Sequence, residues 1–268
     1  VSGKTNKYSG KSVALVLGSG GARGLAHIGV IRELLSLGME IKYISGCSMG
    51  ALVGGIYAAG ELDAYSEWAR KLERKDVISL LDLSFGFQGL FKGERIIGAL
   101  KEITGERDIE DMDIGFTAIA TDLLEQKEIW LNSGPLFDAI RASIAIPTIF
   151  TPWEYRGRIL VDGGLLNPLP IAPALNHATD LIIAVNASGR RSREGPDKEK
   201  SPAIPGIFDA MAMTMDTMQN AIARLKLAAY SPDIVIEIPR DVCTFYEFYR
   251  AEELIELGQK RAEATLSV

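Results

Sequence analysis

A serine held between two glycines is the first place in this sequence where chemistry is legible. Gly46-Cys47-Ser48-Met49-Gly50 fits the G-x-S-x-G pattern. It follows a stretch that reads as a strand (41–45) and precedes one that reads as a buried helix (51–59), which is the setting such a turn needs. A nucleophile on so tight a turn takes strained dihedrals, and Gly46 and Gly50, two residues to either side, must lack a Cβ to avoid collision. The helix that follows aims its unpaired N–H groups at the serine and favours negative charge developing there. A glycine-rich turn holding an ordinary serine is the plain alternative, and the motif alone does not decide.

A nucleophilic serine needs a base. The chain has two histidines, His27 and His177, so a Ser-His-Asp triad must use one of them. His27 falls inside the first predicted helix, three residues past Gly24, where an ordinary helix-face histidine is the simpler reading. His177 follows Asp162 closely, at the end of a Pro-rich helical turn (168–174), whereas the α/β-hydrolase order places the histidine well downstream of the acid. The other option is a carboxylate that takes the proton directly. Asp162 is best placed for this, because it ends the apolar run Ile159-Leu160-Val161 and precedes Gly163 and Gly164. Partial burial there would raise its pKa toward that of a useful base. Asp-Gly is also a frequent turn pair, so a capping aspartate remains open.

Upstream, Gly18-Ser19-Gly20-Gly21-Ala22-Arg23-Gly24 joins the first predicted strand to the first predicted helix. Its successive N–H groups make a nest for an anion, either a phosphate or the oxyanion of a tetrahedral acyl intermediate. The dinucleotide spacing fails in both registers: Arg23 takes the third glycine position in one, Ser19 the first in the other. The Lys-Ser/Thr ending of a P-loop is absent. Arg23 adds positive charge at the helix start.

The elements that must hold these residues alternate short β-rich runs with longer amphipathic ones, as in a parallel sheet covered by helices. Strands are expected over 13–17, 41–45, 114–120, 127–131, 158–161, 181–185 and 234–238, and helices over 24–37, 51–59, 136–146 and 252–266, with Gly38 closing the first helix and Pro147 stopping the third. Residues 1–10 are polar and read as a flexible segment, a processed end or a linker, leaving 11–268 as one domain. With 47% apolar and 24% charged residues in 268, the chain can build a large core. A net charge of −6 argues against a nucleic-acid partner. Two cysteines, Cys47 and Cys243, make neither a disulfide scaffold nor a zinc site. No run is long enough to span a bilayer, and the N-terminal segment has no apolar signal core, which favours a cytoplasmic compartment with peripheral membrane contact still open.

Taken together and in this order, SGGARG (19–24), GCSMG (46–50) and DGG (162–164) resemble the patatin-like phospholipase family, in its bacterial branch related to neuropathy target esterase. ARGLAHIGVI (22–31) and RASIAIPTIFTP (141–152) resemble it too, so the likeness runs from about Val13 to beyond Val185. The resemblance implies a three-layer α/β/α sandwich with a mostly parallel central sheet, and a Ser-Asp dyad without histidine. On it, Ser48 is the nucleophile and Asp162 the base. Gly20 and Gly21 form the oxyanion hole with support from Arg23, while Gly18, Gly24, Gly46, Gly50, Gly163 and Gly164 shape the turns. The family's loop is usually G-G-G-x-[KR]-G, and Ser19 stands here for the first glycine.

The expected chemistry is hydrolysis of a phospholipid or other lipid acyl ester through an acyl-serine, with no metal or organic cofactor. A non-catalytic lipid- or ligand-binding module on the same fold is the alternative, as is a different ester substrate. Two stretches are expected to face lipid: residues 84–93, with Phe85, Phe87 and Phe91, and the cluster Met211, Met213, Met215 and Met218. For each, an ordinary hydrophobic anchor or core-facing helix is the alternative.

Overall fold

The computed structural model describes residues 7–80, 91–192 and 206–267. Among these, eight strands form one mixed sheet: β1 (Ser12–Leu17), β2 (Glu40–Cys47), β3 (Gly115–Asp122), β4 (Lys127–Leu131), β5 (Trp153–Tyr155), β6 (Arg158–Asp162), β7 (Leu181–Gly189) and β8 (Ile234–Pro239). Their order is β5-β6-β3-β2-β1-β7-β8, with β4 also paired to β3. The strands from β3 through β8 along this order are parallel, while β4, β6 and β5 join antiparallel. The helices are α1 (Ala26–Ser36), α2 (Met49–Ala58), α3 (Leu62–Arg70), α4 (Arg74–Leu80), α5 (Glu94–Thr104), α6 (Leu136–Ser143), α7 (Ile171–Ala174), α8 (Ile207–Ala229) and α9 (Ala251–Leu266).

The period of β1 separates two cores. Val13, Leu15 and Leu17 point to the larger one, filled by residues such as Ile28 of α1, Val53 of α2, Ile140 of α6 and Leu254 of α9. Ala14 and Val16 point to a smaller one with Ile171 and Ala174 of α7 and Ala223 of α8. A strand buried on both faces reads as a continuous apolar run, which VALVL does. The result is the expected three-layer arrangement, with helices on both faces of the sheet.

The site depends on how three strands share an edge. β4 pairs with β3 along 118–122. β2 pairs with β3 from Gly115 to Cys47's partner Ile119, and β6 pairs with β3 from Ala120 onward. With β4 occupying one edge, β2 and β6 must lie end to end on the other. The last residue of β2 and the last of β6, Cys47 and Asp162, therefore arrive opposite neighbouring residues of β3.

One expected boundary needs correction. The helix expected over 136–146 ends at Ser143, because the chain turns early enough for the Ala145 carbonyl to accept the Asp162 N–H at 2.9 Å. Of the N-terminal segment 1–10, residues 7–10 form a turn whose Gly10 N–H bonds the Gly38 carbonyl at 2.8 Å; residues 1–6 lie outside the described residues. Helices α3, α4 and α5 were not anticipated, and α4 buries none of its residues. No helix among the described residues is long and apolar enough to cross a membrane.

Candidate active site

Ser48 joins β2 to α2 with φ 55 and ψ −122, a conformation that costs a non-glycine residue about 1–3 kcal/mol. Its N–H donates to Ser143 Oγ at 2.9 Å, and Ser143 Oγ donates to the Ile119 carbonyl at 2.6 Å. Ser143 thus ties the turn to the point on β3 where β2 gives way to β6. The flanking glycines provide room. A Cβ on Gly46 would lie 2.5 Å from the Gly50 carbonyl oxygen, and one on Gly50 would lie 2.1 Å from that of Leu17. The side chain at 48 is 3% exposed.

Asp162 is 1% exposed. Its Oδ1 accepts the Gly164 N–H at 2.7 Å and faces the Cys47 thiol at 3.8 Å. The Ser48 side chain is a further hydrogen-bonding partner of the carboxylate. Burial pushes the pKa up from 3.8 to about 6, and the bonds from Ser48, Gly164 and Cys47 offset part of that rise. A carboxylate so placed is ionised at neutral pH and still basic enough to take a hydroxyl proton. Gly163 lets the turn approach β3, since a Cβ there would lie 2.3 Å from the Ile119 oxygen. Burial first, and then the charges of Asp162 and Glu128, push the Cys47 thiol up. It stays protonated and acts as a donor, not as a rival nucleophile.

The glycine-rich loop runs into a short 3-10 helix, Gly21–Leu25. Within it the N–H groups of Gly18, Ser19, Ala22 and Arg23 bond the carbonyls of Val185, Pro168, Phe245 and Gly20. The N–H groups of Gly20 and Gly21 have no acceptor among the described residues. Gly21 has φ +54, and a Cβ there would lie 2.4 Å from the Phe245 ring. Gly24 packs on the residue after the serine, its would-be Cβ only 2.4 Å from Met49 Cβ. The loop is thereby pressed against the start of α2, with two free donors beside Ser48.

Arg23, expected to support the oxyanion hole, is buried. Its guanidinium donates to the carbonyls of Ala187 (2.9 Å) and Arg240 (3.2 Å), to Ser188 Oγ (3.3 Å) and to Asp216 Oδ1 (2.6 Å). It fastens the loop to the ends of β7 and β8 and to α8. Both histidines stand apart from the serine chemistry. His27 is fully buried, its Nε2 lies 2.8 Å from the Gly18 carbonyl, and burial lowers its pKa to about 4. A neutral imidazole donating there anchors the start of the loop. His177 stacks on Tyr43, five residues before Ser48 along β2, with ring centroids 3.5 Å apart.

Two cavities meet at Ser48. One, of about 490 Å³, is walled by apolar side chains of α2 to α5 and the 244–249 segment, including Leu52, Trp68, Ile96 and Phe248. The other, of about 610 Å³, follows α8 and is lined by Asp162, Met211, Thr214, Met215 and Gln219. Both fall in the range of roughly 300–1,000 Å³ usual for small-molecule sites. Phe91 lines both, pinned by bonds of 2.9 Å to Ile149 and Thr151; Phe85 and Phe87 lie outside the described residues. The methionine cluster divides. Met211 and Met215, one turn apart, face the second cavity, while Met213 and Met218 do not line it and are exposed. Among the described residues no group of three His, Cys, Asp or Glu side chains could hold a metal ion. Ser143 and Cys47 as a donor carried no recognisable signal in the sequence beyond their place in the matching stretches, and Gln219 carried none.

The model of the patatin-like phospholipase family matches residues 15–175, a span that includes the glycine loop, Ser48 and Asp162. An uncharacterized NTE family protein of Mycobacterium tuberculosis is 38% identical over 96% of this chain and 92% of its own length. Lysophospholipase NTE1 of Debaryomyces hansenii is 28% identical over 97% of this chain, which spans 18% of that longer protein. Patatin-like phospholipase domain-containing protein 7 of Rattus norvegicus is 32% identical over 68% of this chain and 14% of its own length. Among solved structures, VipD from Legionella pneumophila aligns with a TM-score of 0.49 at 14% identity, covering 97% of this chain and 67% of that one. The chain belongs to the patatin-like phospholipase family, among its NTE-related members.

Proposed function

We propose that residues 11–268 act as one acyl-hydrolase domain that cleaves lipid acyl esters, of the phospholipase or lysophospholipase type, through a Ser48–Asp162 dyad. The observation that carries this reading is the meeting of Ser48, the raised carboxyl of Asp162 and the two unpaired N–H groups of Gly20 and Gly21 where two cavities join. A relative that bears the name lysophospholipase supports the substrate class.

Ser48 Oγ attacks the ester carbonyl as Asp162 takes its proton, and the oxyanion is received by the N–H groups of Gly20 and Gly21. The intermediate collapses by breaking the carbon–alcohol bond. The electron pair goes to the alcohol oxygen, which Asp162 protonates, and an acyl-serine remains. Water then attacks the acyl carbon, gives its proton to Asp162, and releases the fatty acid as Ser48 recovers that proton. The scheme calls for no metal or organic cofactor. Exposed Ile78, Tyr246 and Met211 at the cavity walls support peripheral contact with a lipid surface.

The test is active-site titration with a fluorophosphonate, together with hydrolysis of a soluble short-chain ester. The intact chain is expected to label at Ser48, and Ser48→Ala and Asp162→Asn to lose both labelling and turnover. Undiminished hydrolysis by Ser48→Ala would overturn the scheme, and undiminished labelling of Asp162→Asn would remove Asp162 as the base.

A further inference from the structure

Resting on the hydrolase reading above, we propose that the two cavities divide the ester between them. The 490 Å³ cavity takes the acyl chain and the 610 Å³ cavity along α8 takes the alcohol, with Gln219 as the donor that determines alcohol specificity.

The division follows from where the proton must go. The tetrahedral carbon carries Ser48 Oγ, the oxyanion, the acyl chain and the alcohol oxygen. When the carbon–alcohol bond breaks, the departing oxygen receives the proton that the base took from Ser48. Asp162 lines the α8 cavity and does not line the other, so the alcohol oxygen must face the α8 cavity. Gly20, one of the two free donors, also lines only that cavity, while Gly21 lines both. With the oxyanion turned toward these donors, the acyl chain is left with the remaining opening. The walls agree with this assignment. Both walls are mostly apolar, but Leu52, Trp68, Ile96 and Leu100 give the first cavity an unbroken aliphatic and aromatic stretch, with Arg74 and Glu247 also on its wall, while Ser19, Thr214 and Gln219 place polar groups in the cavity that also holds Asp162.

Gln219 is oriented for the role. Ser19, standing where the related loops usually carry glycine, donates its hydroxyl to Gln219 Oε1 at 2.7 Å. That bond fixes the amide and leaves Nε2 without an acceptor among the described residues. Nε2 lies 2.6 Å from where a Cβ on Gly164 would stand, over the turn whose N–H holds the Asp162 carboxylate. A donor beside the base is positioned to bind a second oxygen on the leaving alcohol, such as a glycerol hydroxyl.

The test is a crossed set of esters: butyrate and decanoate, each on ethanol, decanol and glycerol. Rates are normalised to the Ser48 labelled by fluorophosphonate, so unfolded protein does not count. Ile96→Trp and Leu72→Trp, two independent obstructions of the acyl cavity, are expected to lower decanoate relative to butyrate by about tenfold without changing alcohol preference. Met215→Trp is expected to lower decyl relative to ethyl esters by about tenfold without changing acyl preference. Gln219→Ala is expected to lower glyceryl relative to ethyl esters while leaving decyl relative to ethyl unchanged. An exchange of these effects between the cavities, or equal losses on all esters in labelled protein, overturns the division. Hydrolysis that persists in Ser48→Ala instead overturns the hydrolase reading itself, a separate and recognisable result.

Discussion

The Cys47 thiol and the Asp162 carboxylate, both buried, face each other across 3.8 Å on the side of Oδ1 that also receives the Gly164 N–H. The residue before Ser48 therefore helps set how basic the Asp162 carboxylate is. Asp162 must be ionised to act, so kcat/KM is expected to fall as pH drops through about 6. Removing the donor with Cys47→Ala raises the carboxyl further and moves that acid limb upward by roughly half a unit, while Cys47→Ser, a stronger donor, moves it down. A pH–rate profile of kcat/KM for the three proteins checks this. A profile unchanged in Cys47→Ala would mean that the thiol only fills space.

Asp162 also makes stability depend on pH. A carboxyl whose folded pKa is raised favours the folded state below its unfolded value of 3.8, and that advantage is lost as pH climbs through about 6. Asp162→Asn is thus expected to be more stable than the natural protein at pH 8 by about 2–3 kcal/mol, with the gap closing toward pH 4. Urea denaturation at both pH values measures it. An aspartate that stabilises the fold at pH 8 would contradict the burial argument.

Gly21→Ala tests the oxyanion donors. Its φ of +54 is strained for alanine, and the new Cβ would meet the Phe245 ring at 2.4 Å. The loop must shift, and kcat on a short-chain ester is expected to fall about 10²–10³-fold. Circular dichroism is expected to stay native, separating loss of the donor from loss of the fold.

Arg23 is expected to matter for stability first. Arg23→Met leaves the carbonyls of Ala187 and Arg240 and the Asp216 carboxylate without their partner, at a cost of about 3 kcal/mol. Asp216, whose side chain is 32% exposed, can turn to water, so Asp216→Asn costs less. Denaturation midpoints rank the two. A stable Arg23→Met with reduced kcat would instead return Arg23 to a direct part in binding the oxyanion.

Much of the frame is legible in local sequence because local rules specify it. β1, β2 and α2 follow from apolar runs broken by glycine, and the elbow at Ser48 follows from the two residues whose Cβ atoms could not fit. The histidine count pointed to a carboxylate base, and neither His27 nor His177 stands at the serine. Ser143 and Gln219 gave no such signal. Each meets the site through long-range bonds, and no periodicity encodes partners that far along the chain. The partners of Arg23 were hidden for the same reason. A cation beside a glycine loop suggests an anion, while its actual partners lie more than 160 residues away.

The end-to-end placement of β2 and β6 on one edge of β3 makes β3 a ruler for the distance between Ser48 and Asp162. The interval is marked off by two adjacent residues, Ile119 opposite Cys47 and Ala120 opposite Asp162, and a ruler with one-residue divisions can be reset only in whole steps. A slip of β6 by one position would move its end by about 3.3 Å and turn the carboxylate to the opposite face of the sheet. No small drift of register can loosen this dyad by degrees. The cavity walls can therefore vary freely while the spacing of Ser48 and Asp162 is either kept or lost entirely.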